Sequence, residues 1–290
     1  MKSSSSLKIA TLNVRGFKNK RKRTTLFRKF KSEKLDIIAL QETYISNETE
    51  LREISTQWRG PVHYSFGSNH SKGLITLFNS SFHDNDIDLI FTSDRIILSS
   101  VKLENTNIYI LNIYSPCEDQ QKIIFLDQLS AIIIQHISDI GKDLVCLGDF
   151  NIALNEDDIV SGNPHRLDVR EAFNNFIQSH SFTDSWRLIH PTEKNFTWSR
   201  NNPPSARRLD YIFTSDTISS FIKESNIKSI GFSDHRLVFT TFEFTSFKHG
   251  KGFYKLNASL LKDIDYCKMI TSIILNTREE YNELNAHLKW

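Results

Sequence analysis

Cysteine is scarce in this sequence, with three among 290 residues at positions 117, 146 and 267. Their spacing matches no zinc-ligand pattern, and an odd count makes a poor disulfide framework. The chain is therefore expected in a reducing, intracellular compartment. Cys146 lies in an apolar run and reads as a core thiol. Long apolar runs are missing too. The longest candidate, Ile123 to Ile134, is broken by Asp127, Gln128 and Ser130, so no membrane helix is expected. Met1 to Ser6 is polar and leads directly into a strand pattern, unlike a secretory leader. No internal repeat or low-complexity segment is visible. An excess of one charge is also absent. The 36 Lys and Arg face 34 Asp and Glu, so net charge decides nothing about nucleic acid and only its distribution can. What remains is 39% hydrophobic and 11% aromatic, enough for a sizeable core in one large domain or two small ones.

Short β-branched runs alternate with helical patterns. Strands are expected at Leu7 to Val14, Asp36 to Leu40, Gly73 to Phe78, Ile96 to Leu103 and Ile108 to Tyr114, the last two joined by a turn at 104–107. Further strands are expected at Asp143 to Leu147, Phe196 to Ser199, Asp210 to Phe213 and Leu237 to Phe244. Gln120 to Ile140 and Leu167 to Ser179 read as helices. Hairpins mixed with helical crossovers predict an α/β domain with mixed sheets.

Two composition shifts stand out. Arg15 to Lys34 carries ten Lys or Arg and one acid, Glu33. It reads either as the solvated face of an amphipathic helix, with Leu26, Phe27 and Phe30 buried, or as a phosphate-contacting edge or nuclear localisation signal. Near Phe247, Lys248-His249-Gly250-Lys251-Gly252 looks like a linker, and Ser259 to Lys289 is helix-like. The expected division is a nuclease domain over 1–245 and a linker with helical tail over 246–290.

Four patches repeat one theme, a polar or acidic residue ending an apolar strand: Leu12-Asn13-Val14-Arg15-Gly16, Leu40-Gln41-Glu42-Thr43, Leu147-Gly148-Asp149-Phe150-Asn151 and Phe232-Ser233-Asp234-His235. Open α/β sheets place their sites at strand ends. Hydrolysing a phosphodiester at neutral pH requires a hard cation held by carboxylates, an oriented water and a donor to the phosphate. Glu42, Asp149 and Asp234 suit the cation and the water. Asn13 and Asn151 orient groups without adding charge, and His235 suits the phosphate. Taken singly, each acid reads better as a helix cap or turn residue, and His235 beside Asp234 as a surface pair. Order and combination carry the case.

The order Asn13, Glu42, Asp149-Phe150-Asn151, Arg208-Leu209-Asp210-Tyr211, Ser233-Asp234-His235 resembles the endonuclease/exonuclease/phosphatase superfamily, which includes pancreatic-type deoxyribonuclease, abasic-site endonucleases and inositol polyphosphate phosphatases. The resemblance runs from residue 7 to about residue 244. It implies a four-layered α/β sandwich of two packed mixed sheets flanked by helices. It further implies that Glu42 is the principal metal ligand with Asn13 close by, and that Asp149 orients or activates the water. Asn151 would assist at the phosphate, His235 would contact the phosphate or act as base, Asp210 would hydrogen-bond His235, and Asp234 would lie near the metal. Tyr114, in Asn112-Ile113-Tyr114-Ser115-Pro116, sits at the phosphate-facing aromatic position, although a core tyrosine at a strand end is the plain alternative. The implied cofactor is Mg²⁺, with Mn²⁺ as a substitute.

Thr183-Asp184-Ser185-Trp186-Arg187, His190-Pro191, Phe196-Thr197-Trp198-Ser199 and the run from Gly252 to Asp263 narrow the resemblance to the endonucleases of LINE-type (non-LTR) retrotransposons. That resemblance implies a nick in one strand of double-stranded DNA, a 3′-hydroxyl that primes reverse transcription, a covalent continuation into a reverse transcriptase, nuclear action and a monomeric domain with no membrane partner. The expected DNA contacts are Arg15, Thr197, Arg200, Arg207 and Ser233. The stretch from Arg200 to Ala206 reads as a projecting turn, with Arg200, Arg207 and Arg208 near its ends, that either reads a groove or is a plain hairpin loop. Two departures stand out. Where relatives carry Asp-Arg, this chain has Asp158-Ile159, leaving that phosphate contact absent or supplied by Arg166. Where abasic-site enzymes carry a Trp, this chain has Arg207. An abasic-site endonuclease is the nearest alternative. A phosphatase of inositol phosphates or phospholipids, or a catalytically dead binding module, fits less well.

Overall fold

Alternation along the first strand sets the architecture. Ser6–Asn13 (β1) sends Leu7 and Ile9 to one apolar cluster and Ala10 and Leu12 to another, so both faces are buried. In the computed structural model, residues 6–244 are described except 69–70, 104–105, 138–142 and 163, together with Lys268, Thr271 and Ser272. The chain divides into compact units at Met1–Thr245 and Ser246–Trp290. The linker and tail expected over 246–290 lie outside the described residues apart from those three, as does half of the expected turn at 104–107.

After β1 come Lys20–Ser32 (α1), Ile37–Gln41 (β2), Glu48–Trp58 (α2), Val62–Ser65 (β3), Leu74–Phe78 (β4), Ile87–Ser93 (β5), Ile96–Lys102 (β6) and Asn107–Tyr114 (β7). Asp119–His136 (α3), Asp143–Asp149 (β8), Leu167–Ser179 (α4), Phe182–Asp184 (β9) and Ser185–Ile189 (α5) follow. The fold closes with Trp198–Asn201 (β10), Pro204–Arg207 (β11), Asp210–Ser215 (β12), Asp216–Ser219 (α6), Ile222–Lys228 (β13) and Leu237–Glu243 (β14). Two six-stranded mixed sheets form, in the orders β13-β14-β1-β2-β4-β3 and β5-β6-β7-β8-β12-β9, and β10-β11 makes a separate hairpin.

Three clusters build four layers. Leu7, Ile9, Ile37 and Val238 of one sheet meet Ile108, Ile110, Val145, Leu147 and Ile212 of the other. On the outer face of the first sheet, Leu12, Leu40 and Phe239 pack against Leu26, Phe27 and Phe30 of α1 and Leu51, Ile54 and Trp58 of α2. On the outer face of the second, Leu111, Cys146 and Phe213 pack against Phe125 and Leu129 of α3 and Phe173 of α4. This is the expected α/β sandwich of two packed sheets flanked by helices, and Cys146 is the expected core thiol.

The expected helix Gln120 to Ile140 is observed as Asp119–His136. Helix α2 and strands β3, β5, β9, β11 and β13 were not legible. The β13 segment Ile-Lys-Glu-Ser-Asn-Ile-Lys is charged because it is a sheet edge, where charge blunts self-association but erases alternation. β5 is an edge of the second sheet and leaves Leu89 and Ile90 exposed. In the basic stretch, the amphipathic-helix reading holds. Asn19 caps α1 by accepting from the Lys22 N–H at 3.1 Å, and Leu26, Phe27 and Phe30 are buried. Arg23 is buried as well and donates to Gln57, Glu53 and the Phe17 and Lys18 carbonyls, so this cation belongs to the core.

Candidate active site

The same alternation aims the candidate residues. Asn13 shares parity with Leu7 and Ile9, Tyr114 with Ile108 and Ile110, Asp149 with Val145 and Leu147, and Asp210 with Ile212. All four therefore face the inter-sheet interface at one end of the sandwich, where apolar packing gives way to polar groups. Register brings them together: both Tyr114 and Asp210 lie opposite Asp149. Gly148 makes this close approach tolerable, since a Cβ there would come within 2.0 Å of the Ile113 carbonyl oxygen.

Asn13 Nδ2 bridges two carboxylates, donating to Glu42 Oε1 at 2.8 Å and Asp149 Oδ2 at 2.9 Å. Glu42 also accepts from the Tyr114 hydroxyl at 2.9 Å and the Tyr44 hydroxyl at 2.6 Å. Asp149 Oδ1 accepts the Asn151 N–H at 2.9 Å, and Asn151 Nδ2 donates to the Ser115 carbonyl. His235 Nδ1 lies 2.8 Å from Asp210 Oδ2, and its Nε2 lies 3.8 Å from Asp149 Oδ2. Asp234 accepts from Arg15 at 3.1 Å and from Trp198 Nε1 at 3.2 Å. Arg15, Glu42, Tyr44 and Asn151 all have positive φ, between 44° and 59°. Such conformations are costly for non-glycine residues and concentrate where surrounding structure imposes a geometry.

Burial shapes the electrostatics. Desolvation, then the neighbouring Asp210 charge, pushes the Asp149 carboxyl well above the usual carboxylate range. Burial alone would lower the His235 pKa, but Asp210 and then Asp149 outweigh it and hold the imidazole charged well above its ordinary range. Burial also raises both Tyr44 and Tyr114, keeping them as neutral donors to Glu42.

Most of these groups line an open cleft of about 580 Å³, including Arg15, Glu42, Asp149, Asn151, Arg200, Arg207, Asp234 and His235. Tyr44, Cys117, Lys122 and His165 line it too. No local pattern marked them, because they come from turns and a helix face without strand-end acids.

Two of the expected DNA contacts, Thr197 and Ser233, are engaged within the chain. Thr197 is fully buried. Its hydroxyl oxygen accepts the Leu209 and Asp210 N–H groups at 2.9 and 3.1 Å, so it fixes the start of β12 instead of meeting DNA. Ser233 donates to the Asn13 carbonyl at 2.7 Å and accepts the His235 N–H, which ties the 233–235 loop to β1. Arg208 is also buried, held by both oxygens of Asp158 and by Asp184. Tyr211 braces the same corner through the Ile152 and Arg208 carbonyls, so within Arg208-Leu209-Asp210-Tyr211 it is Asp210 that reaches His235, while Leu209 lines the cleft. Arg166 is held by Asp168 and does not line the cleft. Arg208→Ala would leave the fully buried Asp158 with Arg187 as its one remaining cation among the described residues. It is expected to cost about 3 kcal/mol, read as the shift in the urea midpoint at constant slope.

His165 gives a stability signature. Burial, then Lys122 and Arg207, lowers its pKa to about 4. The folded state therefore favours the neutral ring. That stabilisation is present above the unfolded value near 6.5 and is lost as pH falls from there towards 4. His165→Gln should flatten this part of the stability–pH curve; equal slopes in both proteins would refute the assignment.

The donor set fits a hard divalent cation: carboxylate oxygens predominate and Asp210 Oδ1 is buried without a hydrogen-bond partner among the described residues. Two ligand sets compete. Asp149, Asp210 and His235 have ligand atoms within 4.8 Å of one another, but Asp210 and His235 already engage each other. Glu42 and Asp149 both lie within 2.9 Å of one Asn13 nitrogen and present oxygens to the cleft, so this pair is the better-supported holder. Asn13 departs from the expected metal ligand. Its amide nitrogen faces the acids while its oxygen accepts the Arg15 N–H.

Comparison with known proteins agrees with this geometry. Residues 10–235 match the model of the endonuclease/exonuclease/phosphatase family. The chain is 26% identical over 288 residues to the transposon TX1 uncharacterized 149 kDa protein of Xenopus laevis, covering 98% of this chain and 22% of that protein. It thus spans about a fifth of the length of that relative. An exodeoxyribonuclease of Bacillus subtilis (strain 168) is 22% identical over 253 residues, 79% of this chain and 96% of that protein. The structure of an AP endonuclease from Archaeoglobus fulgidus superimposes with a TM-score of 0.67 at 22% identity, covering 82% of this chain and 99% of that one. With the family's length of sequence matched and its strand-end residues gathered in one cleft, the chain belongs to the endonuclease/exonuclease/phosphatase family.

Proposed function

We propose that this chain is a divalent-metal-dependent endonuclease that hydrolyses a phosphodiester in one strand of duplex DNA. The reading rests above all on the buried Asp210–His235 pair set against Asp149, itself tied through Asn13 to Glu42 at the floor of an open cleft. Glu42 and Asp149 would hold the cation, Mg²⁺ or Mn²⁺, whose contribution when bound is to neutralise phosphate charge and acidify water. Asp149, with His235 Nε2 3.8 Å from its Oδ2, would also orient the attacking water. Charged His235 would donate to the phosphate, Asp210 would keep it charged and oriented, and Asn151 would bind a phosphate oxygen. Tyr114 and Tyr44 would orient Glu42. Arg15, Arg200 and Arg207 at the cleft rim would meet the DNA backbone, with Asp234 steering Arg15.

The finer reading is a nick that leaves a 3′-hydroxyl for priming reverse transcription at a nuclear target. It draws support from similarity to the TX1 protein along nearly the whole chain and from Arg207 where an abasic-site enzyme would have an aromatic wall. The β10–β11 hairpin, which carries Arg200 and Arg207, would read groove shape. A continuation into a reverse transcriptase and a monomeric domain belong to the same proposal. Supercoiled plasmid and a synthetic abasic duplex, each incubated with Mg²⁺ with and without chelator and then end-mapped, test it. Nicks with 3′-hydroxyl ends on intact duplex are expected. A strong preference for the abasic duplex favours the repair reading, and hydrolysis of inositol phosphates alone sinks both.

Helix α1 contributes to binding in this scheme. Lys22 donates to the Val14 and Arg15 carbonyls, which brings the helix start to the cleft rim. Lys20, Arg21 and Arg28 are exposed on it. Reversing these three to Glu should flatten the log-affinity against log-salt slope by about 0.9 for each phosphate no longer neutralised. An unchanged slope would assign the helix to solvation alone.

A further inference from the structure

Lys122 belongs to no part of the hydrolytic machinery, yet its ammonium is carried into the wall of the cleft on the first turns of α3, with the residue only 2% exposed. Burying an ammonium is costly, and such groups are retained where they pair or bind. Its partners are informative. Nζ lies 2.9 Å from Asp119 Oδ1 and 3.4 Å from His165 Nδ1, while on the other edge of the same ring Arg207 Nη1 lies 3.5 Å from His165 Nε2. One imidazole thus separates two cations contributed by α3 and β11, segments 85 residues apart. Two like charges held about one ring apart repel, and an anion entering between them relieves that repulsion. Lys122, His165 and Arg207 all line the cleft that holds Asp149, Asn151 and His235. Cys117 connects the two regions, since it feels the charges of Asp149 and Glu42 on one side and Lys122 on the other.

We propose that Lys122, His165 and Arg207 form a second phosphate subsite that grips a backbone phosphate neighbouring the one to be cut. The proposal rests on the nucleic-acid reading of the cleft and deepens it. The acidic half of the cleft repels a polyanion, so productive binding of a phosphodiester chain depends on fixed cations a short way along its track. An ammonium and a guanidinium suit that task differently: the first is a compact point charge, the second a planar fork that can take two phosphate oxygens. His165, neutral between them, holds the two apart, and the Asp119–Lys122 pair keeps the ammonium aimed before substrate arrives. The competing account is a purely structural i,i+3 ion pair on α3 with a ring packed on it.

The test compares wild type with Lys122→Met, Lys122→Arg and Arg207→Gln in the full chain. Equilibrium binding to a short duplex is measured without divalent cation across a salt series. The same proteins are then assayed for hydrolysis of bis(4-nitrophenyl) phosphate, which carries a single phosphate. Lys122→Met and Arg207→Gln are each expected to weaken duplex binding about tenfold at low salt and to reduce the salt slope by about one. Lys122→Arg should recover binding, and hydrolysis of the small diester should be unchanged in both Lys122 variants. A scan of duplexes with one neutral methylphosphonate at a time should find a position flanking the cut that weakens wild type and leaves Lys122→Met indifferent. If Lys122→Met fails to fold, Lys122→Gln carries the same comparison. Wild-type affinity and slope in a folded Arg207→Gln, or equal losses on duplex and small diester, overturn the subsite while leaving the nuclease reading intact. A wild-type chain that neither binds nor cuts duplex overturns both.

Discussion

Glu42→Ala and Asp149→Ala are each expected to lower metal-supported nicking of duplex DNA by on the order of 10⁴-fold. The two residues fail for different reasons. Glu42 is the acceptor on which Asn13, Tyr114 and Tyr44 converge, so its loss removes a negative charge from the cleft and leaves three donors without that acceptor. Asp149 is fully buried between His235 and Asn13, and its carboxyl is already held above its usual range by burial and Asp210. Removing it relieves that electrostatic cost but leaves Asn13 Nδ2 and the Asn151 N–H short of an acceptor, so the stability loss in Asp149→Ala should be smaller than in Glu42→Ala. Glu42→Ala should cost about 1–3 kcal/mol from unmet hydrogen bonds. Single-turnover nicking rates beside urea midpoints separate the two effects. Nicking at the wild-type rate in either folded variant would end the assignment.

Asp210→Asn is expected to reduce nicking by about 10³-fold, although Asp210 sits behind His235. The geometry can survive, because a carboxamide fits the 2.8 Å contact to Nδ1. The charge cannot. Asp210 is the foremost influence raising His235 against the opposing effect of burial, so its neutralisation should lower the imidazole pKa and discharge the ring near neutral pH. The alkaline limb of the pH–rate profile should therefore move to lower pH in the variant. A fall in rate with an unmoved limb would make Asp210 a packing residue only. An unchanged rate would remove the pair from the reaction.

The strand ends were legible because each acid follows a run that can only be a buried strand, and a period of two then dictates the facing direction. That pattern marked Asn13 and Asp149 as strand-end residues, and the sheet register then set them with Asp210 on one interface. Tyr114 was reached through the family resemblance instead, and its hydroxyl meets Glu42. Elsewhere local pattern misled. Thr197, in an expected strand, reads as a DNA contact, yet its oxygen accepts from two backbone N–H groups twelve and thirteen residues on. Strands β5 and β13 escaped notice because edges tolerate charge and lose alternation.

By itself the sequence determined the class of fold, the four strand-end patches and the chemistry those residue types can perform. Periodicity is a local property of the chain, and donor types are written in each residue. Tertiary structure alone decided which charges are tools and which are struts. Arg23 and Arg208 read as surface cations but are buried, whereas Lys122 and His165 carried no signal and line the cleft. The physical reason is that burying a charge is tolerable only beside a partner, and the partners lie far away in sequence: Glu53 thirty residues from Arg23, Asp158 fifty residues from Arg208. No window along the chain contains both halves of such a pair. Whether a cation faces DNA or an aspartate is settled only when the sheets close.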